Sequence, residues 1–189
     1  MRDISSAHQT LGADIRALRR SRGLTLKALA TQLNKSVGWM SQVERDLSEP
    51  TISDLRDFAR VLDIPLSMLS TKNTVQEHDQ GFVVRKNNRR SIGRNIQGLT
   101  EELLSPDLTD DFEVVHSHFA AHSRIKTPVS RPTQEVGFLI SGTLNLTIDG
   151  REYIINQGDS FRIRGEEFSW ANPYNDPAIA IWVIAPPVY

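Results

Sequence analysis

A chain of 189 residues with 39% hydrophobic side chains is long enough for one large core or two small ones. It contains no cysteine, which excludes disulfides and thiolate metal sites and suits a reducing cytoplasm. No apolar run approaches the roughly 18 residues of a membrane span, and the N-terminus lacks the apolar core of a signal peptide. A cytoplasmic protein with no membrane contact is expected. The net charge of −1 divides into +2 over residues 1–70 and −3 over the remaining 119, too small a bias to indicate a nucleic-acid partner by itself.

Residues 1–7 are expected to fray. From about Gln9 to Arg20, Leu11, Ile15 and Leu18 form an i, i+4, i+7 stripe, and Gly23 ends this first helix. Thr25 caps a second helix carrying Leu26, Leu29, Ala30 and Leu33, and Asn34-Lys35 make a turn. Ser36 then caps a third helix, with Val37, Met40 and Val43 on one face and Ser41, Gln42 and Arg45 off it. Pro50 interrupts the chain. Thr51 opens a fourth helix with Asp54 in the capping-box position and Ile52, Leu55, Phe58, Ala59 and Leu62 toward the core. A last turn from Pro65 to Leu69 is expected to bury Leu66 and Leu69.

Two short helices joined by a tight turn, the second exposing small polar side chains, make a helix-turn-helix. Leu29-Ala30, Ser41-Gln42-Val43-Glu44-Arg45 and Leu47-Ser48-Glu49-Pro50-Thr51 resemble the phage-repressor (Cro/C1, or XRE) type of that motif. The resemblance implies a five-helix DNA-binding domain over residues 8–70. It places Val37, Gly38 and Gln42 at base edges in the major groove, with Ser36 and Ser41 beside them. Gln42 is the one long amide there and suits adenine N6/N7. Arg22, Lys35 and Arg45, with Arg20, are left as phosphate candidates. Arg19 and Glu44 fall where the family carries a buried ion pair. Leu26 departs from a common phosphate-contacting Gln. Asp46 stands where Gly is common and must adopt a left-handed conformation.

Residues 71–80 have little apolar content and read as a linker. Beyond Gly81 the period falls to two. Phe82–Val84, Phe112–Phe119, Glu135–Ile140, Leu144–Ile148, Tyr153–Ile155, Ser160–Ile163, Phe168–Ala171 and Ile179–Ile184 read as strands separated by turn signals such as Ser141-Gly142 and Asp149-Gly150. Many short strands at this spacing indicate an antiparallel barrel or jelly roll. The basic run Arg85, Lys86, Arg89, Arg90 reads as a solvated strand edge.

Glu135 to Gly142, Leu144 to Gly150, Gly158-Asp159 and Gly165 to Asn172 resemble a cupin domain, here residues 81–189. The family's metal site takes two His and a Glu from its first motif and one His from its second. Glu135 matches that Glu, and Gly142 and Asn172 match motif positions. The first His pair, however, falls among Pro128, Val129, Ser130 and Arg131, and the last His is Phe168. With three of four ligands gone, no metal and no other cofactor is expected. His116-Ser117-His118 puts two imidazoles on one strand face but lies far upstream of the motif, and reads as ordinary strand histidines.

An amino-terminal repressor-type domain followed by a cupin resembles bacterial transcription regulators whose barrel senses a metabolite, and the second half looks most like the putrescine-utilisation repressor group. The fold class expected is therefore α+β in two domains. Strand parity places Glu135, Gly137 and Leu139 on one inward face and Phe168 and Trp170 on another, with Arg131 near the mouth. An acid beside two aromatics suits an amine or ammonium effector. The implied partners are a double-stranded DNA operator, a small-molecule effector and a second copy of the chain. Two other classes compete: a metal-dependent cupin enzyme, which lacks its His ligands here, and an antitoxin-like partner protein, which has no use for a complete barrel. The regulator, not an enzyme, is the preferred reading.

Overall fold

The computed structural model of the protein describes residues 10–69, 79, 82–92, 96–105, 108 and 110–188. Residues 1–9 and, apart from Asp79, the expected linker 71–80 lie outside the described residues. The chain forms two compact units. The first is built mainly of residues up to Ile92, and the second mainly of Asp111–Val188.

In the first unit four helices start where a hydroxyl can cap them: α1 (Leu11–Ser21), α2 (Leu26–Gln32), α3 (Val37–Val43) and α4 (Ile52–Leu62). The side chains of Thr10, Thr25, Ser36 and Thr51 each accept the N–H three residues on, and such a cap contributes about 1 kcal/mol. At α4 the capping box is complete, with Asp54 accepting the Thr51 N–H in return. The expected fifth helix is instead a single 3-10 turn, Leu66–Leu69, too short to close α-helical bonds after Pro65.

Ile15, Leu18, Leu29, Met40, Val43, Phe58 and Leu62 close the core at 1% exposure or less. Two expected core residues are not in it. Ile52 is 69% exposed because it opens α4 on the solvent side, and Leu66 gives its place to Met68. α1 and the end of α3 meet backbone to backbone. A Cβ on Gly12 would lie 2.3 Å from the Val43 carbonyl oxygen, and the Gly12 N–H donates to Asp46 Oδ1 at 2.8 Å. Asp46 does take the left-handed conformation (φ 56°), and this bond explains why its carboxylate is useful where glycine would be easier.

Phe82–Val84 is not a strand, and Phe82 is 84% exposed. High β-propensity without a paired edge is not enough. Nor is the following basic run a solvated strand edge. Arg85 makes two 2.8 Å bonds to the buried carboxylate of Asp79, and Lys86–Asn88 forms a 3-10 turn. Arg90 opens the two-residue strand β1 (Arg90–Ser91) and bonds Asp14 of α1 at 2.7 Å. Asp14 is 1% exposed, so this arginine neutralises an acid inside the helical unit.

The second unit is antiparallel throughout. β2 (Leu99–Leu103), β3 (Glu113–Phe119), β10 (Ala178–Ala185), β5 (Gln134–Ser141) and β8 (Ser160–Ile163) form the larger sheet in that order. β4 (Ser123–Arg124), β9 (Phe168–Asn172), β6 (Thr143–Ile148) and β7 (Arg151–Asn156) form the smaller one. Burial alternates strictly along β3, β5 and β9, as two sheets closing on a common core require. The β6–β7 hairpin turns on Asp149 (φ 50°) and Gly150 (φ 74°), the pair of positive angles that matches strand twist. Gly142 is required for a second reason: a Cβ there would meet the Pro177 carbonyl oxygen at 2.6 Å.

Candidate functional site

The first candidate site is the outer face of α3. Met40 and Val43 anchor it inward, while Ser36, Val37, Gly38, Gln42 and Arg45 are exposed and Ser41 is half-buried. Trp39 fixes the helix by stacking on Phe58, with ring centroids 6.1 Å apart. Arg19 of α1 holds the far end of α3 with a forked pair to Glu44, Nε–Oε1 2.5 Å and Nη2–Oε2 3.0 Å, and also donates to the Leu24 carbonyl at 2.6 Å. Both residues are buried, so this arginine positions α3. Gly38 stands apart. Beyond the chain neighbours and the backbone of α3 itself, a Cβ there would meet nothing among the described residues closer than the Ser36 hydroxyl at 4.0 Å, so packing does not demand a glycine.

The cations around this face differ in how far the fold occupies them. Lys35 Nζ lies 2.7 Å from Asp54 and 4.8 Å from the Trp39 ring centre. That pairing, with the Thr51 bonds, holds the Asp54 carboxyl down at about 2. Arg22 donates to the Leu62 carbonyl at 2.9 Å and the Asp63 carbonyl at 3.4 Å, capping the C-terminus of α4. Arg45, just past the end of α3, donates from Nε to the Ser41 carbonyl at 3.0 Å and is exposed, as is Arg20. Of the sequence-derived phosphate candidates, Arg22 and Lys35 therefore have structural work inside the domain.

The second candidate site is the barrel interior. Glu135, Gly137 and Leu139 point inward from β5 at successive alternate positions, and each is buried. Glu135 Oε1 accepts the Thr133 hydroxyl at 2.7 Å and lies 3.8 Å from Arg131 Nη1. The Arg131 guanidinium also sits over the Phe168 ring, 5.9 Å from its centre. Phe168 in turn faces Trp182 of β10 at 6.0 Å, and Phe161 of β8 meets the same indole edge-on at 4.8 Å. The space that a side chain at position 137 would fill is taken by the Phe161 ring, 2.1 Å from an added Cβ. Asn172 is buried as a turn holder, donating to the Phe119 and Asp176 carbonyls and accepting from the Tyr174 N–H.

Residues 10–70 match the helix-turn-helix domain family, and residues 115–184 match the cupin domain family. The chain thus joins a helix-turn-helix domain to a cupin domain. It is 29% identical over 98 residues to the immunity repressor protein of Bacillus phage phi105, a match covering 52% of this chain and 67% of that one. Two solved structures align over 95% of the chain. An HTH_3 family transcriptional regulator from Vibrio cholerae does so at 20% identity and a TM-score of 0.45, covering 97% of that chain. Hydroxypropylphosphonic acid epoxidase from S. wedmorenis does so at 15% identity and a TM-score of 0.47, covering 99%.

The residues available at the cupin metal positions do not fit a metal. Glu135 faces Thr133, Arg131 and Phe168, two of which carry no metal-binding lone pair at neutral pH. His116 and His118 lie on the outward face of β3, where they alternate with buried Glu113, Val115, Ser117 and Phe119. They point away from the side of the sheet that carries Glu135. Among the described residues no group of three or more His, Asp and Glu is placed to hold a metal ion.

Of the sequence-predicted ligand residues, Glu135, Arg131 and Phe168 come together. Trp170 does not join them. It packs edge-on against Phe119 at 4.8 Å, and Phe119 ends the strand that Glu113 begins, about 20 Å away along β3. Leu139 lies two inward positions from Glu135 along β5. Three residues of this region were missed: Glu113, Phe161 and Trp182. Their signal was the alternation of β3, β8 and β10, but which rows meet depends on long-range register, which the sequence does not carry.

Proposed function

We propose that the protein is an operator-binding repressor, acting as a homodimer, whose barrel senses a small cationic metabolite such as an amine or amino-acid derivative. The observation that carries this reading is the placement of Arg131. Its guanidinium lies between the Glu135 carboxylate and the Phe168 ring, so this end of the barrel already accommodates an organic cation by charge pairing and cation–π attraction. A protonated amine from outside is recognised by the same chemistry. The likeness to the phage immunity repressor supports repression as the mode of control.

At the other end of the function, α3 offers Gln42 to a base edge, Val37 to a thymine methyl and Gly38 to close approach, with Ser36, Ser41, Lys35, Arg22 and Arg45 around them. One seven-residue helix reads too few base pairs for useful specificity, so two copies bind half-sites about 34 Å apart. Selection of operators from random DNA by the full-length protein, followed by thermal-shift screening of amines, tests the reading. A two-fold symmetric consensus together with stabilisation by a cationic metabolite is the expected result. Stoichiometric zinc, iron or manganese and turnover of a substrate would instead establish the metal-dependent enzyme.

A further inference from the structure

Strand register places two carboxylates at the same end of the barrel. Across β3, β10, β5 and β8 one inward row reads Glu113, Ile184, Glu135, Ile163. The two acids flank Ile184, two strand spacings or about 10 Å apart at the backbone. Their surroundings differ. Glu135 is compensated by the Thr133 hydroxyl and the nearby Arg131. Glu113 is 2% exposed, and its Oε1 accepts a single long bond, 3.3 Å, from the Val188 N–H. Its Oε2 is buried and has no hydrogen-bond partner among the described residues. Buried acceptors are satisfied in the great majority of cases, so an orphaned carboxylate oxygen on the inward face of the barrel calls for a donor.

The next inward row supplies the rest of a binding surface. It carries Val115, Trp182, Gly137 and Phe161, and Phe168 packs against Trp182 from the smaller sheet. The acids are thus backed by three aromatic rings on one side.

We propose that Glu113 is the second acidic anchor of the effector site, its free Oε2 receiving a protonated nitrogen of the effector while the ligand's apolar body lies against Trp182 and Phe161. This rests on the cationic-effector reading above and assigns the effector's charge to Glu113 rather than to the already compensated Glu135. Burial raises the Glu113 carboxyl to about 7, opposed by the Val188 bond and the Arg131 charge and reinforced by Glu101 and Glu135. An ammonium requires the carboxylate, so binding at pH 7, where about half of the molecules hold the Glu113 proton, expels about half a proton per site into the buffer.

The test is calorimetric titration of the full-length protein with primary alkylamines, α,ω-diamines and amino-acid amides, using the matching alcohols as neutral controls. Each titration is run at pH 7 in phosphate and in Tris, whose different ionisation enthalpies report proton release. We expect at least one amine to bind with release of about half a proton per site. We expect Glu113→Gln, shown to be folded by its thermal melt, to bind that amine at least tenfold more weakly and release none. Glu113→Asp, which keeps the charge but draws it back, should fall between. Binding to the wild type without proton release, or undiminished binding by Glu113→Gln, overturns the assignment of Glu113. If Glu135→Gln alone abolishes binding, the cationic-effector reading survives and this inference fails. If no amine binds the wild type, both fail.

Discussion

At the scale of single residues, the informative positions are those where the fold does not explain the side chain. Gly38 is one. Glycine inside a helix costs up to about 1 kcal/mol relative to alanine, and nothing packs against its Cα. Gly38→Ala should therefore leave stability unchanged or raise it by up to about 1 kcal/mol, while weakening operator binding at least tenfold. Chemical denaturation and an operator titration on the same preparation check both halves. Gln42→Ala should cost about 1–3 kcal/mol of specific binding and relax preference at one base pair. Arg45→Ala should weaken all sequences alike and lower the salt slope by about one. Unchanged preference in the Gln42 variant would mean that another register of α3 faces the groove.

Glu113 gives a pH prediction at the same scale. Its carboxyl is raised by burial from an ordinary 4.5 to about 7. The folded state therefore holds a proton that the unfolded chain has lost. Stability attributable to this group is complete below about pH 4.5 and is lost as pH rises through 7, a difference of about 3 kcal/mol. Thermal melts between pH 5 and 8.5 should show the decline in the wild type and a flatter profile in Glu113→Gln. Equal slopes would show that Glu113 is solvated.

At the scale of elements, helices were legible because their signals are local. Hydroxyl caps, an apolar period and a left-handed exit residue all sit within one segment, and Thr25, Ser36 and Thr51 cap α2, α3 and α4 as the sequence indicates, while α1, expected from about Gln9, is capped by Thr10. The 3-10 turn at Leu66–Leu69 lacks such a cap and was over-read as a helix. Strands were legible where alternation was apolar, as in β5 and β10, and illegible where it was not. β2 reads Leu-Thr-Glu-Glu-Leu, and Glu101 at the inward position between Leu99 and Leu103 hides the alternation. The ion pair of Arg90 with Asp14 spans 76 residues and leaves no local trace. Arg19 with Glu44 was foreseeable only through the family resemblance. Its geometry predicts that Arg19→Ala, which strands a buried carboxylate, destabilises the helical unit by about 3–5 kcal/mol. A loss below about 1 kcal/mol by urea denaturation would show that the pair is solvated.

At the scale of the whole molecule, an operator reader joined to a metabolite sensor, as proposed, needs an energetic link between the two. An effector alters operator affinity only by its differential affinity for the two states of the protein, typically 1–3 kcal/mol of coupling, or roughly 5–150-fold. The metal fit also belongs to this scale. Arg131 and Phe168 stand where the cupin pattern carries metal-ligating histidines, and neither offers a lone pair to a metal at neutral pH. The most direct measurement is the fluorescence anisotropy of a labelled operator titrated with the full-length protein, with and without saturating amine, for wild type and Glu113→Gln. At least a fivefold change in operator affinity is expected for the wild type, none for the variant, and equal affinities for both without amine. An operator affinity of the wild type indifferent to every amine would contradict the sensing of a cationic metabolite.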